Sequence, residues 1–111
     1  MEKLFVFIGH RPERNKICLA ICSSSEPKKN VHGNVLFRKG VVANTAGVSE
    51  MVAFLKATNV IGSHDLSIHE NVRYSETKGG LVPCPVSEAS NFLIKIITGA
   101  IGIVSSVVTT P

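Results

Sequence analysis

The sequence predicts a single α+β domain over residues 1–111, with a mainly antiparallel sheet, one amphipathic helix at about 44–58 and a hydrophobic C-terminal element. Three observations carry that prediction. Short aliphatic runs bounded by turn residues fill the first third of the chain, as buried strands do. Val48, Met51, Val52 and Leu55 then recur at spacings of three and four, which lines one face of a helix. Finally, the stretch from Ile96 to Val108 carries no charge at all.

A chain of 111 residues suits one domain. It can bury roughly two-thirds of its unfolded surface, so its core needs no staples. With 44% hydrophobic and 18% charged residues the composition is globular. There is no Trp and one Tyr, so the apolar mass is aliphatic and largely β-branched, which favours strands.

The first strand is expected at Lys3–Gly9, where Leu4 to Ile8 are consecutive apolar residues. His10 to Asn15 is a turn bent by Pro12. Lys16–Cys22 is a second strand covered on both faces, with Ile17, Leu19 and Ile21 opposite Cys18, Ala20 and Cys22. Ser23–Gly33 is a polar loop, and Asn34–Val42 a third strand interrupted at Arg38-Lys39-Gly40. Asn44 or Thr45 caps the helix that follows, and Asn59 ends its apolar stripe. Asp65–Ser75 alternates in part and predicts one strand or two short ones with a wet face. Lys78-Gly79-Gly80 and Pro83-Cys84-Pro85 mark a turn and linker, and their flanking prolines favour exposure of Cys84.

The last element opens at Ser87 with helix-start chemistry, Glu88 and Ser90. Its continuation is β-branched, and Gly99 and Gly102 each weaken a helix by roughly 1 kcal/mol relative to Ala. Two outcomes stay open: one long helix, or a helix to about residue 98 with a break at Gly99. The apolar segment 92–111 is expected to pack in the core or in a self-association interface through Phe92, Ile96, Ile97, Ile101, Ile103, Val104 and Val107. As an alternative, residues 92–108 form a membrane anchor at the short edge of spanning length.

The net charge of +4 is unevenly placed. Residues 1–39 hold eight Lys or Arg against three Glu, whereas residues 40–111 hold four against five acids. Arg11, Arg14, Lys16, Lys28, Lys29, Arg38 and Lys39 are therefore the candidate nucleic-acid contacts, forming one positive rim if the second and third strands pair. The aromatic platform that single-strand binders use is not evident.

Catalytic and metal chemistry finds little footing. Asp65 is the one aspartate, and the seven Glu are scattered, while two-metal phosphoryl chemistry needs carboxylates converging on metals about 4 Å apart. On a strand Cys18 and Cys22 lie about 13 Å apart, from a rise of roughly 3.3 Å per residue, too far to share zinc. His10, His32, His64 and His69 lack tight ligand spacing and read as surface histidines. An odd number of cysteines, three, argues against a disulfide scaffold and for a reducing interior. No metal and no cofactor is expected.

The order strand, strand, strand, helix, strand over residues 3–70 resembles the first half of ribonuclease H-like domains. Asn44-Thr45-Ala46-Gly47-Val48-Ser49-Glu50, with Ala53 and Ala57 after it, is similar to that family's helix, which opens with Thr or Asn and carries a catalytic Glu, here Glu50. Gly9 or His10 stands where the family's first-strand Asp belongs, and Glu70 is the nearest substitute for the aspartate after the fourth strand. The last third of the chain has no counterpart. The resemblance thus implies a catalytically dead version of the domain.

Taken from the residues, the function expected is non-enzymatic. It is a small assembly or binding protein of virus or phage type, a homo-oligomer in the cytoplasm or the virion and host-cell interior, whose basic face is able to contact nucleic acid. Membrane association is the lesser alternative.

Overall fold

Five consecutive apolar residues from Leu4 to Ile8 leave a strand with no wet face, and the chain folds so that this strand lies inside a sheet, covered above and below. The computed structural model describes residues 3–23, 35–58, 61–62, 65–75, 77–78, 80–84 and 87–109, the last seven as helix without their side chains. In chain order the described elements are β1 (Lys3–Arg11), β2 (Lys16–Cys22), β3 (Val35–Val42), α1 (Thr45–Thr58), β4 (Asp65–Glu70), β5 (Val72–Ser75), β6 (Gly80–Pro83) and α2 (Glu88–Thr109). This is an α+β fold with two mainly antiparallel sheets. The larger runs β3-β2-β1-β4, antiparallel except where β1 meets β4, and the smaller is the β5–β6 hairpin.

Strand periodicity sorts the side chains into two layers. Leu4, Val6 and Ile8 of β1, Ile17, Leu19 and Ile21 of β2, and Val41 of β3 meet Val48, Met51 and Leu55 of α1 and Ile94, Ile97 and Ile101 of α2. The opposite face carries Phe7, Ala20 and Cys22, on which Val72, Tyr74 and Leu81 of the hairpin pack. The main sheet is thus sandwiched between a helical layer and a two-stranded one.

α1 starts where the sequence expects it. Asn44 Oδ1 accepts the Gly47 N–H at 2.8 Å and caps the first turn. Ser87 does the same for α2, accepting the Ser90 N–H at 3.1 Å.

Several expectations change. The region from Asp65 to Ser75 is two strands in different sheets, divided at Asn71, whose φ is 67°. The stretch expected as turn and linker contains a strand, since Gly80 to Pro83 pair with Ser75 to Val72. Cys84 is buried, not exposed, because the hairpin closes over it. The last element is one helix, unbroken at Gly99 and Gly102. Both glycines are exposed and a Cβ there would touch nothing within 4 Å. Their propensity cost of roughly 2 kcal/mol together is outweighed by burying three isoleucines at about 1.5–3 kcal/mol each. Among the described residues no helix is long and apolar enough to cross a membrane; the segment once weighed as an anchor turns Ile94, Ile97 and Ile101 into the protein core.

Candidate nucleic-acid interface

A cleft opens on the hairpin side of the main sheet, where the β1–β2 turn, β3 and the hairpin come together. The turn is a short 3-10 segment, Pro12–Arg14, started by Pro12 and closed by Asn15 in the left-handed region at φ 51°. It sets Arg11 and Arg14 on its two sides. Arg38 faces the same way because its strand partner is Ala20, which lies on the hairpin side. Arg73 and Tyr74 come from β5, and Lys78 from the bend after it, where Lys78 N–H donates to Ser75 Oγ at 3.2 Å.

Gly9 decides how closely these parts approach. A Cβ at Gly9 would overlap Cys84 Sγ and lie 2.9 Å from the Val72 carbonyl oxygen. The missing side chain lets β5 settle directly on β1, and His10 N–H donates to Cys84 Sγ at 3.3 Å to close the seam.

The resulting cleft has a volume of about 770 Å³ and is lined by Arg11, Arg14, Arg38, Arg73, Tyr74 and Lys78 among others, none of the described lining residues being acidic. A smaller recess of about 450 Å³ continues it along β2 and β3 and shares Arg11, Arg38 and Tyr74. The Arg38 guanidinium lies 5.3 Å from the centre of the Tyr74 ring, a cation–π contact. Arg11 Nε donates to Glu13 Oε1 at 2.7 Å, and that hydrogen bond holds the Glu13 carboxyl below its ordinary range. Cys18 reaches the smaller recess, but burial pushes its thiol up despite the opposing charges of Arg73 and Arg11. It is therefore a protonated thiol at neutral pH, a poor nucleophile and a poor metal ligand. Burial likewise pushes Cys22 up to about 11.

Of the basic residues expected at the rim, Arg11, Arg14 and Arg38 meet in this cleft. Lys16 is exposed at the start of β2 outside the residues that line it. Lys28 and Lys29 fall outside the described residues. Lys39 is a correction: its backbone borders the smaller recess, but its ammonium sits 3.1 Å from Glu50 and 4.9 Å from the centre of the Phe54 ring, on the helical side. The signal was available, since neighbours on a strand point to opposite faces. Arg73, Lys78 and Tyr74 escaped the sequence reading. So did the aromatic platform, because Tyr74 joins Arg38 only through the packing of one sheet on another.

The residues expected at a self-association surface divide. Phe92 and Ile96 are 66% and 42% exposed, whereas Ile97 and Ile101 are fully buried in the core and offer no surface. The side chains of Ile103, Val104 and Val107 lie outside the described ones.

The positions carried over from the ribonuclease H-like resemblance do not converge. Glu50 is paired with Lys39 of β3, while Glu70 on β4 accepts from Lys95 Nζ at 2.7 Å and Thr98 Oγ1 at 2.9 Å. β3 and β4 are opposite edges of the sheet, about 14 Å apart at three strand spacings. His10 ends β1 with Nε2 buried and without a hydrogen-bond partner. Among the described residues no group of three or more His, Cys, Asp or Glu could hold a metal ion. His69 stacks on Phe7 at 5.0 Å and its Nε2 meets Ser67 Oγ at 2.9 Å; no acidic partner of His69 is seen among the described residues.

The chain matches no family model, no curated protein and no solved structure.

Proposed function

We propose that this chain is a non-enzymatic nucleic-acid-binding module that holds phosphate backbones in the arginine cleft. The observation that carries the reading is the convergence of Arg11, Arg14, Arg38, Arg73 and Lys78 on one concavity. Two like charges 4 Å apart repel by about 1 kcal/mol in water and more beside a protein surface. Gathering five cations is therefore unfavourable for the free protein, and a polyanion entering the cleft reverses the sign. Contacts of this kind position a backbone and carry no base information, so the binding is expected to be indifferent to sequence.

The test is a salt titration of binding to a generic single-stranded oligonucleotide, followed by fluorescence anisotropy. Five neutralised phosphates predict a slope of log affinity against log salt near −3.5, at roughly −0.7 per phosphate. Arg73→Gln or Arg14→Gln should each reduce that slope by about 0.7. Binding that does not weaken between low and high salt sinks the reading.

A second reading, assembly of the kind found in virus or phage structural proteins, is favoured by one feature. Phe92 and Ile96 stand one turn apart on the outer face of α2, both exposed. They form an apolar strip that a second copy of the chain would cover.

A further inference from the structure

We infer that the cleft selects single-stranded over duplex nucleic acid, one unpaired base lying flat against the Arg38 guanidinium where it is backed by Tyr74. The inference rests on the phosphate-binding reading and adds to it the form of the strand. Five cations by themselves do not discriminate, because both single strands and duplexes offer phosphates. The Arg38–Tyr74 pair does. Its guanidinium is planar, exposed on its outer side and held 5.3 Å from the ring centre on its inner side. The ring is itself anchored, half-buried against the Phe7, Ala20 and Cys22 cluster. A flat cation held in one orientation is a stacking surface for a base, as aromatic rings and arginine planes are at single-strand sites.

Only an unpaired base can use it. In a duplex each base is already stacked on its neighbours and paired with its partner, so reaching Arg38 requires extrusion at a cost in lost stacking and pairing. The duplex is left with the electrostatic contribution alone, while the single strand adds stacking. The platform also lies within the phosphate cleft, since Arg38 and Tyr74 line both of its recesses. A strand whose backbone follows the arginines thus has a base within reach of the ring.

The chain supplies its own reporter. It has one tyrosine and no tryptophan, so its intrinsic emission comes from Tyr74 alone. Oligothymidylate, oligouridylate and a blunt duplex with the same number of phosphates per strand should be titrated into the intact protein at fixed salt, with emission corrected for absorbance. The single strands are expected to quench Tyr74 and to bind roughly tenfold more tightly than the duplex, the scale of one stacked base. Arg38→Lys keeps the charge and removes the plane. It should lose that tenfold on single strands, leave the duplex affinity unchanged and leave the salt slope unchanged. Tyr74→Phe should retain the preference. Equal affinity for single strand and duplex, or an Arg38→Lys variant that leaves the preference intact or weakens both ligands alike, overturns the inference while leaving phosphate binding in place. Absence of binding to every probe overturns the phosphate-binding reading beneath it.

Discussion

Glu70 accepts hydrogen bonds from Lys95 and Thr98 at 2.7 and 2.9 Å and so ties the edge strand β4 to α2. The Lys95 bond, reinforced by Thr98 and opposed by partial burial, lowers the Glu70 pKa from its ordinary 4.5. A depressed carboxylate pKa contributes stability that is present above the unfolded value and is lost as pH falls through the folded one. Lys95 is 62% exposed, so solvent screening limits the contribution to under about 1 kcal/mol. Glu70→Gln is expected to lower stability by about 0.5 kcal/mol at neutral pH and by nothing once the medium is acid enough to protonate the carboxyl in both states. Urea denaturation at the two pH values checks this; an equal gap at both would mean that the charge is not the cause. At the same scale Gly9 is the residue on which the cleft depends. Its importance is illegible from the sequence, because a strand glycine has no partner until the hairpin is known to land on it.

The two helices differ in how they were foreseen. α1 occupies Thr45–Thr58 against an expectation of 44–58, since its stripe is local and regular and ends in a polar residue. α2 was left between a long helix and a broken one, because local propensity and burial disagree over Gly99 and Gly102. Burial wins, through Ile94, Ile97 and Ile101 on the face that meets the sheet. That balance predicts a sharp contrast between adjacent residues. Ile97→Ala, fully buried, should cost about 2–5 kcal/mol by thermal or chemical denaturation. Ile96→Ala, 42% exposed, should stay within about 1 kcal/mol. Similar losses at both positions would mean that α2 does not pack as described. β6 was missed for the opposite reason. Gly80 to Pro83 begins and ends in residues that disfavour strands, and it becomes one only by pairing with Val72–Ser75.

At the scale of the whole molecule, the three layers leave two surfaces of contrasting chemistry. The hairpin side carries the arginine cleft, and the helical side carries the Phe92–Ile96 strip. If the strip is an interface, size-exclusion chromatography with light scattering in detergent-free buffer should give a mass above 11.9 kDa. Replacing Phe92 and Ile96 by Ser should then return a folded monomer, because neither side chain belongs to the core. An intact chain that runs as a soluble monomer sinks the assembly reading and leaves the cleft untouched.

The sequence by itself determined the α+β class, the first three strands, the amphipathic helix and the basic bias of the first half. Each of these is written in short-range patterns of apolar spacing, turn residues and charge. Only the tertiary structure decided which basic residues share a site. It separated Lys39 from Arg38 by the alternation of a strand, and it brought Arg73, Tyr74 and Lys78 to Arg11 and Arg14 by seating the hairpin on Gly9. It also decided the fate of the uncharged C-terminal run, whose isoleucines divide between core and surface by helical rotation. Contacts of that kind depend on elements distant in the chain, and nothing local in the sequence encodes them.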